Sequence, residues 1–234
     1  MKLLVFDVEG TLFQTKIRLP GALIDSTIWQ SIAYALGPDA VKEEVATHER
    51  WQAKGYNSYI EWMKDTITIH RKHGLTKQIF HTIIDAAEYN PGVFEAFHSI
   101  DRSQFEPVLV SGGFRELATR AQRDLRVLHA FAACEYLFAP GETGRLEWYN
   151  LLPCDFEGKL DFIFLLLREY GLRREDWIFV GDGKNDVPIA KQAPLSIGYC
   201  PHPALAQVVT HCVNQFTDVL PILEHDIGVR SGAA

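Results

Sequence analysis

Cysteine is scarce in this chain, four residues at positions 134, 154, 200 and 212, with no Cys-x-x-Cys pair. That density and spacing exclude a disulfide scaffold, and the four are expected to be reduced packing residues. Long apolar runs are missing as well. The one near the amino terminus, Leu3 to Phe6, stops at Asp7, too short for a signal peptide or a membrane span. The chain is therefore expected in the cytoplasm, with no membrane partner. Positive charge is in the minority, 23 Lys and Arg against 30 Asp and Glu for a net −7, so nothing offers the basic face that a nucleic acid requires. A locally positive site for a small anion stays open on such a protein. There are no internal repeats and no low-complexity or long polar tracts, which argues against disorder. What is present is 47% hydrophobic and 12% aromatic residues over 234 positions, enough to bury a core and to form either one domain or a core with an insert. Oligomeric state is not legible from these features.

Four short apolar segments each end in a polar or turn-forming loop: Lys2 to Phe6 before Asp7, Pro107 to Val110 before Ser111-Gly112-Gly113, Trp177 to Val180 before Gly181-Asp182-Gly183, and Leu195 to Tyr199 before a proline turn. Helical periodicity lies between them at Arg115 to Leu125, Lys159 to Tyr170 and Asn185 to Gln192. Alternating strands and helices predict an α/β fold with a doubly wound parallel sheet, in which ligands bind beyond the carboxyl ends of the strands. Residues 14–89 are different, with helical patterns (Ile28, Ile32, Ala35 and Leu36; Tyr59, Trp62, Met63 and Ile67) and no convincing strand. They are expected to be an inserted helical cap broken at Gly37-Pro38, Gly55 and Gly74. The core is then 1–13 and 90–234, with a β-hairpin expected over Tyr136 to Trp148.

Four elements carry candidate chemistry. Asp7-Val8-Glu9-Gly10-Thr11 sets two carboxyls two residues apart after a strand. One can attack phosphorus while the other moves protons, although a polar turn capping a helix has the same composition. Ser111-Gly112-Gly113 offers a hydroxyl and accessible amides to an anion, or is an ordinary turn. Lys159 can offset phosphoryl charge, or be a solvated helix-terminal cation. Gly181-Asp182-Gly183-Lys184-Asn185-Asp186 collects hard oxygen ligands of the kind magnesium prefers, or is a tight acidic turn.

The order of these motifs resembles that of the haloacid dehalogenase superfamily, and the helical insert resembles the cap of its phosphoserine-phosphatase-like branch. The resemblance runs from Met1 to about Leu220. It implies a Rossmann-like core and a magnesium-dependent phosphatase that hydrolyses a small phosphate monoester through an aspartyl-phosphate on Asp7. Glu9 stands where the family has a second Asp, as general acid and base. Magnesium is implied at Asp7, the backbone carbonyl of Glu9, Asp182 and Asp186. Phosphoryl binding is implied at Thr11, Ser111, Gly112 and Lys159, with Asn185 supporting the loop. Asp-x-Glu also occurs in the phosphoserine:homoserine phosphotransferase of this branch, which implies transfer to an acceptor alcohol as an alternative. A catalytically weak phosphate-ester-binding protein is a third reading. The glutamate and arginine that hold phosphoserine in the family fall near Asp25 or Ser26 and Lys64 to Thr66, so that fork is missing. Trp51 and Tyr59 could line a stacking pocket with Lys64 beside them, or pack between cap helices.

Overall fold

The computed structural model describes residues 1–19 and 22–231. Along the chain, β1 (Lys2–Phe6) leads to a hairpin of β2 (Lys16–Leu19) and β3 (Ala22–Asp25). Four helices follow: α1 (Ile28–Leu36), α2 (Pro38–Gln52), α3 (Tyr59–Lys72) and α4 (Lys77–Ala86). Then come α5 (Val93–Ser99), β4 (Phe105–Phe114), α6 (Arg115–Asp124), β5 (His129–Phe138), β6 (Leu146–Leu151), α7 (Gly158–Glu169) and β7 (Trp177–Gly181). The chain finishes with α8 (Val187–Ala190), β8 (Leu195–Tyr199), α9 (Pro203–Ala206), β9 (His211–Val213) and α10 (Val219–Ser231).

Seven strands make one mixed sheet in the order β6-β5-β4-β1-β7-β8-β9, parallel throughout except where β6 runs back against β5. Every residue of β1 and β7 is buried, as expected for central strands covered on both faces. From β1 the chain builds outward to β4 and β5 on one side and to β7 and β8 on the other. The order therefore reverses beside β1 and opens a crevice at its carboxyl end. Phe6 pairs with both Leu109 and Val180, so Asp7, Val110 and Gly181 follow at one level across the three strands.

Three expectations need correction. The segment 14–89 is not strandless: β2 and β3 pair antiparallel within it. Ile17 is buried between exposed Lys16 and Arg18, an alternation over too few residues to register as a strand in the sequence. β4 does not stop at Val110 but continues to Phe114, with its pairing to β5 irregular between Ser111 and Phe114. Ser111-Gly112-Gly113 is thus a strand irregularity, which its glycines accommodate. Asn185 to Gln192 is split into a single 3₁₀ turn at Lys184–Asp186 and the short α8, with Pro188 in the first turn of α8. Cys134 and Cys154 are buried as expected of packing residues, whereas Cys200 and Cys212 are exposed.

Thr27 caps α1 reciprocally with Gln30, and Ser58 and Thr76 cap α3 and α4, so the helix starts of the insert are set by local side chains. The 14–89 segment starts and ends where Gln14 N–H donates to Glu88 and Asn90 N–H to Leu12, each at 2.8 Å, with Phe13 and Tyr89 stacked beside them. A second tether joins it to the β5–β6 hairpin: Leu146 N–H donates to Leu75, Lys77 N–H to Gly144 and Gln78 N–H to Glu142, all at 2.9 Å. Among the described residues no helix is long and apolar enough to cross a membrane.

Candidate active site

Asp7 follows the last residue of β1 and is 4% exposed. Its backbone N–H donates to Val180 of β7 at 2.9 Å, which holds the first turn against the strand that leads into Gly181-Asp182-Gly183. Lys159 rises from the first turn of α7 and is fully buried. Its ammonium lies 2.5 Å from Asp7 Oδ1, 2.7 Å from Asp186 Oδ1 and 3.9 Å from Asp155 Oδ1. Burial works against the Lys159 charge, but Asp186, Asp7 and Asp155 overrule it and keep the ammonium protonated well above its usual range.

One carboxylate oxygen each from Asp7, Asp182 and Asp186 lies within 4.8 Å of the others. Burial pushes the Asp7 carboxyl up, and the charges of Asp186 and Asp182 add to this against the opposing pull of Lys159. Asp182 is pushed up to about 7 by burial and by Asp186. Oxygen-only ligands, close together and short of positive charge, fit a hard divalent cation such as magnesium. The geometry of the turn holds them ready, since Asp186 Oδ2 accepts from the backbone N–H groups of Asp182 (3.2 Å) and Gly183 (3.0 Å).

Thr11 is fully buried and its hydroxyl donates to Asp182 Oδ1 at 2.7 Å, linking the loops after β1 and β7. Gly10 sits between them at φ +90°, where an added Cβ would lie 2.2 Å from Asp182 Oδ2, so the close approach of these loops requires glycine. The Ser111 hydroxyl is buried and accepts from Gly113 N–H at 3.0 Å, which folds the Ser111-Gly112-Gly113 segment back on itself.

Glu9 extends away from this cluster towards the insert. Its Oε1 accepts the Ile28 N–H, the first amide of α1, at 2.6 Å. The additional methylene relative to aspartate is what allows the carboxyl to reach the positive end of that helix. Burial, opposed by the Ile28 N–H and assisted by Asp155, pushes Glu9 up to about 7.

Of the candidates on the insert, Tyr59 reaches the site. Its hydroxyl donates to the Gly112 carbonyl at 2.7 Å, and burial together with Asp155 raises it well above the usual tyrosine range. Trp51 stacks on Trp62 at 4.9 Å and also meets Tyr59 and Phe156, so its ring serves packing within this aromatic group. Lys64 is exposed and, among the described residues, makes no ion pair or side-chain hydrogen bond with a site residue. Ser26 Oγ lies 3.4 Å from Ser31 Oγ, and the Asp25 side chain lies outside the described residues.

Two residues at the site were not singled out in the sequence. Asp155 is buried, accepts from Asn185 Nδ2 at 2.8 Å and packs beneath Gly112, where an added Cβ would be 2.3 Å from its carboxyl carbon. Its spacing of four residues before Lys159 was the available signal. Asn90 donates through Nδ2 to the carbonyls of Gly10 and Thr11, both at 2.9 Å, closing the first loop from behind. The Asn90-Pro91-Gly92 run reads only as a turn in the sequence.

Comparison with known proteins bears on the family and the fold. The chain is 25% identical over 223 residues to the phosphoserine phosphatase of Lactococcus lactis subsp. lactis, covering 95% of this chain and 94% of that one. It is 23% identical over 224 residues to the phosphoserine phosphatase of Methanocaldococcus jannaschii, covering 96% and 97% respectively. A solved structure described as a phospho-aspartyl intermediate analogue of phosphoserine phosphatase shares the fold, with a TM-score of 0.74 at 20% identity over 94% of this chain and 98% of that one. The family model for haloacid dehalogenase-like hydrolases matches residues 1–194, and the chain belongs to that family.

Proposed function

We propose that this protein is a magnesium-dependent phosphatase acting on the phosphate monoester of a small alcohol through a phosphorylated Asp7. The observation that carries this reading is the convergence of Asp7, Asp182, Asp186 and Lys159 within hydrogen-bonding and ligand distance. Magnesium held by Asp7, Asp182, Asp186 and the Glu9 carbonyl would lower the repulsion between the Asp7 carboxylate and the phosphate dianion.

In the first step an Asp7 carboxylate oxygen bonds to phosphorus as the ester P–O bond breaks. The leaving oxygen takes its proton from Glu9, whose carboxyl is pushed up to about 7 and so can carry one near neutrality. In the second step Glu9 removes a proton from water, whose oxygen displaces Asp7 and yields inorganic phosphate. Lys159, Ser111 and the amides around Gly112 stabilise the transferring oxygens, and Asn185 supports the loop.

Transfer to an acceptor alcohol is the second reading. It is favoured by the hydrogen bond from the first amide of α1 to Glu9 Oε1, because what the insert admits beside Glu9 decides which hydroxyl attacks. The test is phosphate release from a panel of small phosphate esters, with and without magnesium, for wild type beside Asp7→Asn, repeated with acceptor alcohols present. Metal-dependent release that disappears in the variant is expected. No release and no phosphorylated acceptor from any ester would leave only a binding protein.

A further inference from the structure

Asp155 is a buried acid that the phosphotransfer steps do not use, yet it meets three of the elements that do. Its carboxylate lies 3.9 Å from the Lys159 ammonium, accepts the Asn185 amide at 2.8 Å and fills the space under Gly112. The fourth neighbour comes from the insert. The Tyr59 hydroxyl donates to the Gly112 carbonyl at 2.7 Å, so Tyr59 and Asp155 both contact Gly112. Tyr59 is the first residue of α3, and its ring packs edge-to-face on Phe156, the residue that follows Asp155. Phe156 adopts φ 48°, an uncommon backbone state for a non-glycine residue, which the surrounding contacts must hold.

We propose that Asp155 and Tyr59 are a pair of positioning residues that couple the seating of the helical insert to the alignment of Lys159, Asn185 and the Gly112 turn. With the insert seated, the Tyr59 hydroxyl fixes the Gly112 carbonyl from above while Asp155 fixes the same residue from below. Asp155 also holds Asn185, next to the ligand Asp186, and adds a third carboxylate to the two that orient the Lys159 ammonium. The phosphoryl-binding turn is then in its working geometry only while α3 is docked. The part of this concerning turnover rests on the phosphatase reading above; the coupling between insert and core does not.

The experiment uses the full chain with p-nitrophenyl phosphate and magnesium, comparing wild type, Asp155→Asn, Tyr59→Phe and the double variant. Thermal melts alongside establish that each is folded. Each single substitution is expected to lower kcat about tenfold with a smaller change in KM, and the double variant is expected to be no worse than the weaker single variant, because both act on one alignment. Amide hydrogen exchange provides the second arm, independent of turnover: Asp155→Asn should speed exchange in the first turns of α3. Unchanged kcat in both single variants of an active enzyme, multiplicative losses in the double variant, or unchanged exchange in α3 would each overturn the pair. A wild type that releases no phosphate would count against the phosphatase reading, and the exchange arm would still decide the coupling.

Discussion

Asn90 sits behind the loop that follows β1, and its side-chain amide closes two backbone carbonyls, Gly10 and Thr11, that the turn leaves without strand partners. Removing that amide leaves both acceptors half-buried, a situation worth about 1–3 kcal/mol for each buried group left unsatisfied. Asn90→Ala is therefore expected to lower unfolding free energy by about 2 kcal/mol in urea titrations. It should also lower kcat more than it raises KM, since the loop it supports carries Asp7 and Glu9. Glu9 shows a different residue-scale logic. Aspartate at this position would fall short of the Ile28 amide, so the longer acid is matched to the start of α1 rather than to the core alone.

At the scale of elements, α6 starts directly after β4 and carries Glu116 in its first turn. Glu116 Oε2 is buried without a hydrogen-bond partner, and burial is the main reason its carboxyl is pushed up to about 7, with Glu135 adding to the effect. The folded protein therefore holds this proton more tightly than the unfolded chain, where the carboxyl titrates near 4.5. This contribution to stability is complete below pH 4.5 and is lost as pH rises through 7. A neutral Glu116→Gln variant escapes the loss. It is expected to be more stable than wild type at pH 8, by up to about 3 kcal/mol from the size of the shift, with no such gain at pH 4.5. Thermal melts of both proteins across that range check the sign.

For the molecule as a whole, the core and the insert meet around an excess of negative charge: Asp7, Glu9, Asp155, Asp182 and Asp186 converge with Lys159 as the buried cation among them. A divalent cation that binds only the folded state raises its stability by mass action. Magnesium is thus expected to raise the melting temperature of the wild type, and Asp182→Asn to reduce that rise even though it relieves repulsion in the metal-free protein. Equal shifts in both proteins would remove Asp182 from the metal site. The sheet supports this concentration of charge because β1 and β7, which lead into Asp7 and Asp182, are buried along their whole length.

Much of the fold was legible because its signals are local. Leu3 to Phe6 and Trp177 to Val180 read as strands from uninterrupted apolar residues, and α1 and α3 from helical spacing. The motifs around Asp7 and Asp182 could likewise be placed at strand ends, and the parallel order implied that these ends share an edge of the sheet. The tertiary structure alone decided what depends on residues distant in sequence: the short β2–β3 pairing, the continuation of β4 through Ser111 and the meeting of Glu9 with Ile28. It also brought Asn90 behind the first loop and set Asp155 beneath Gly112, opposite Tyr59 of the insert. Periodicity records which face of an element is buried; it does not record which distant group will supply the last hydrogen bond, and at this site those bonds come from other loops.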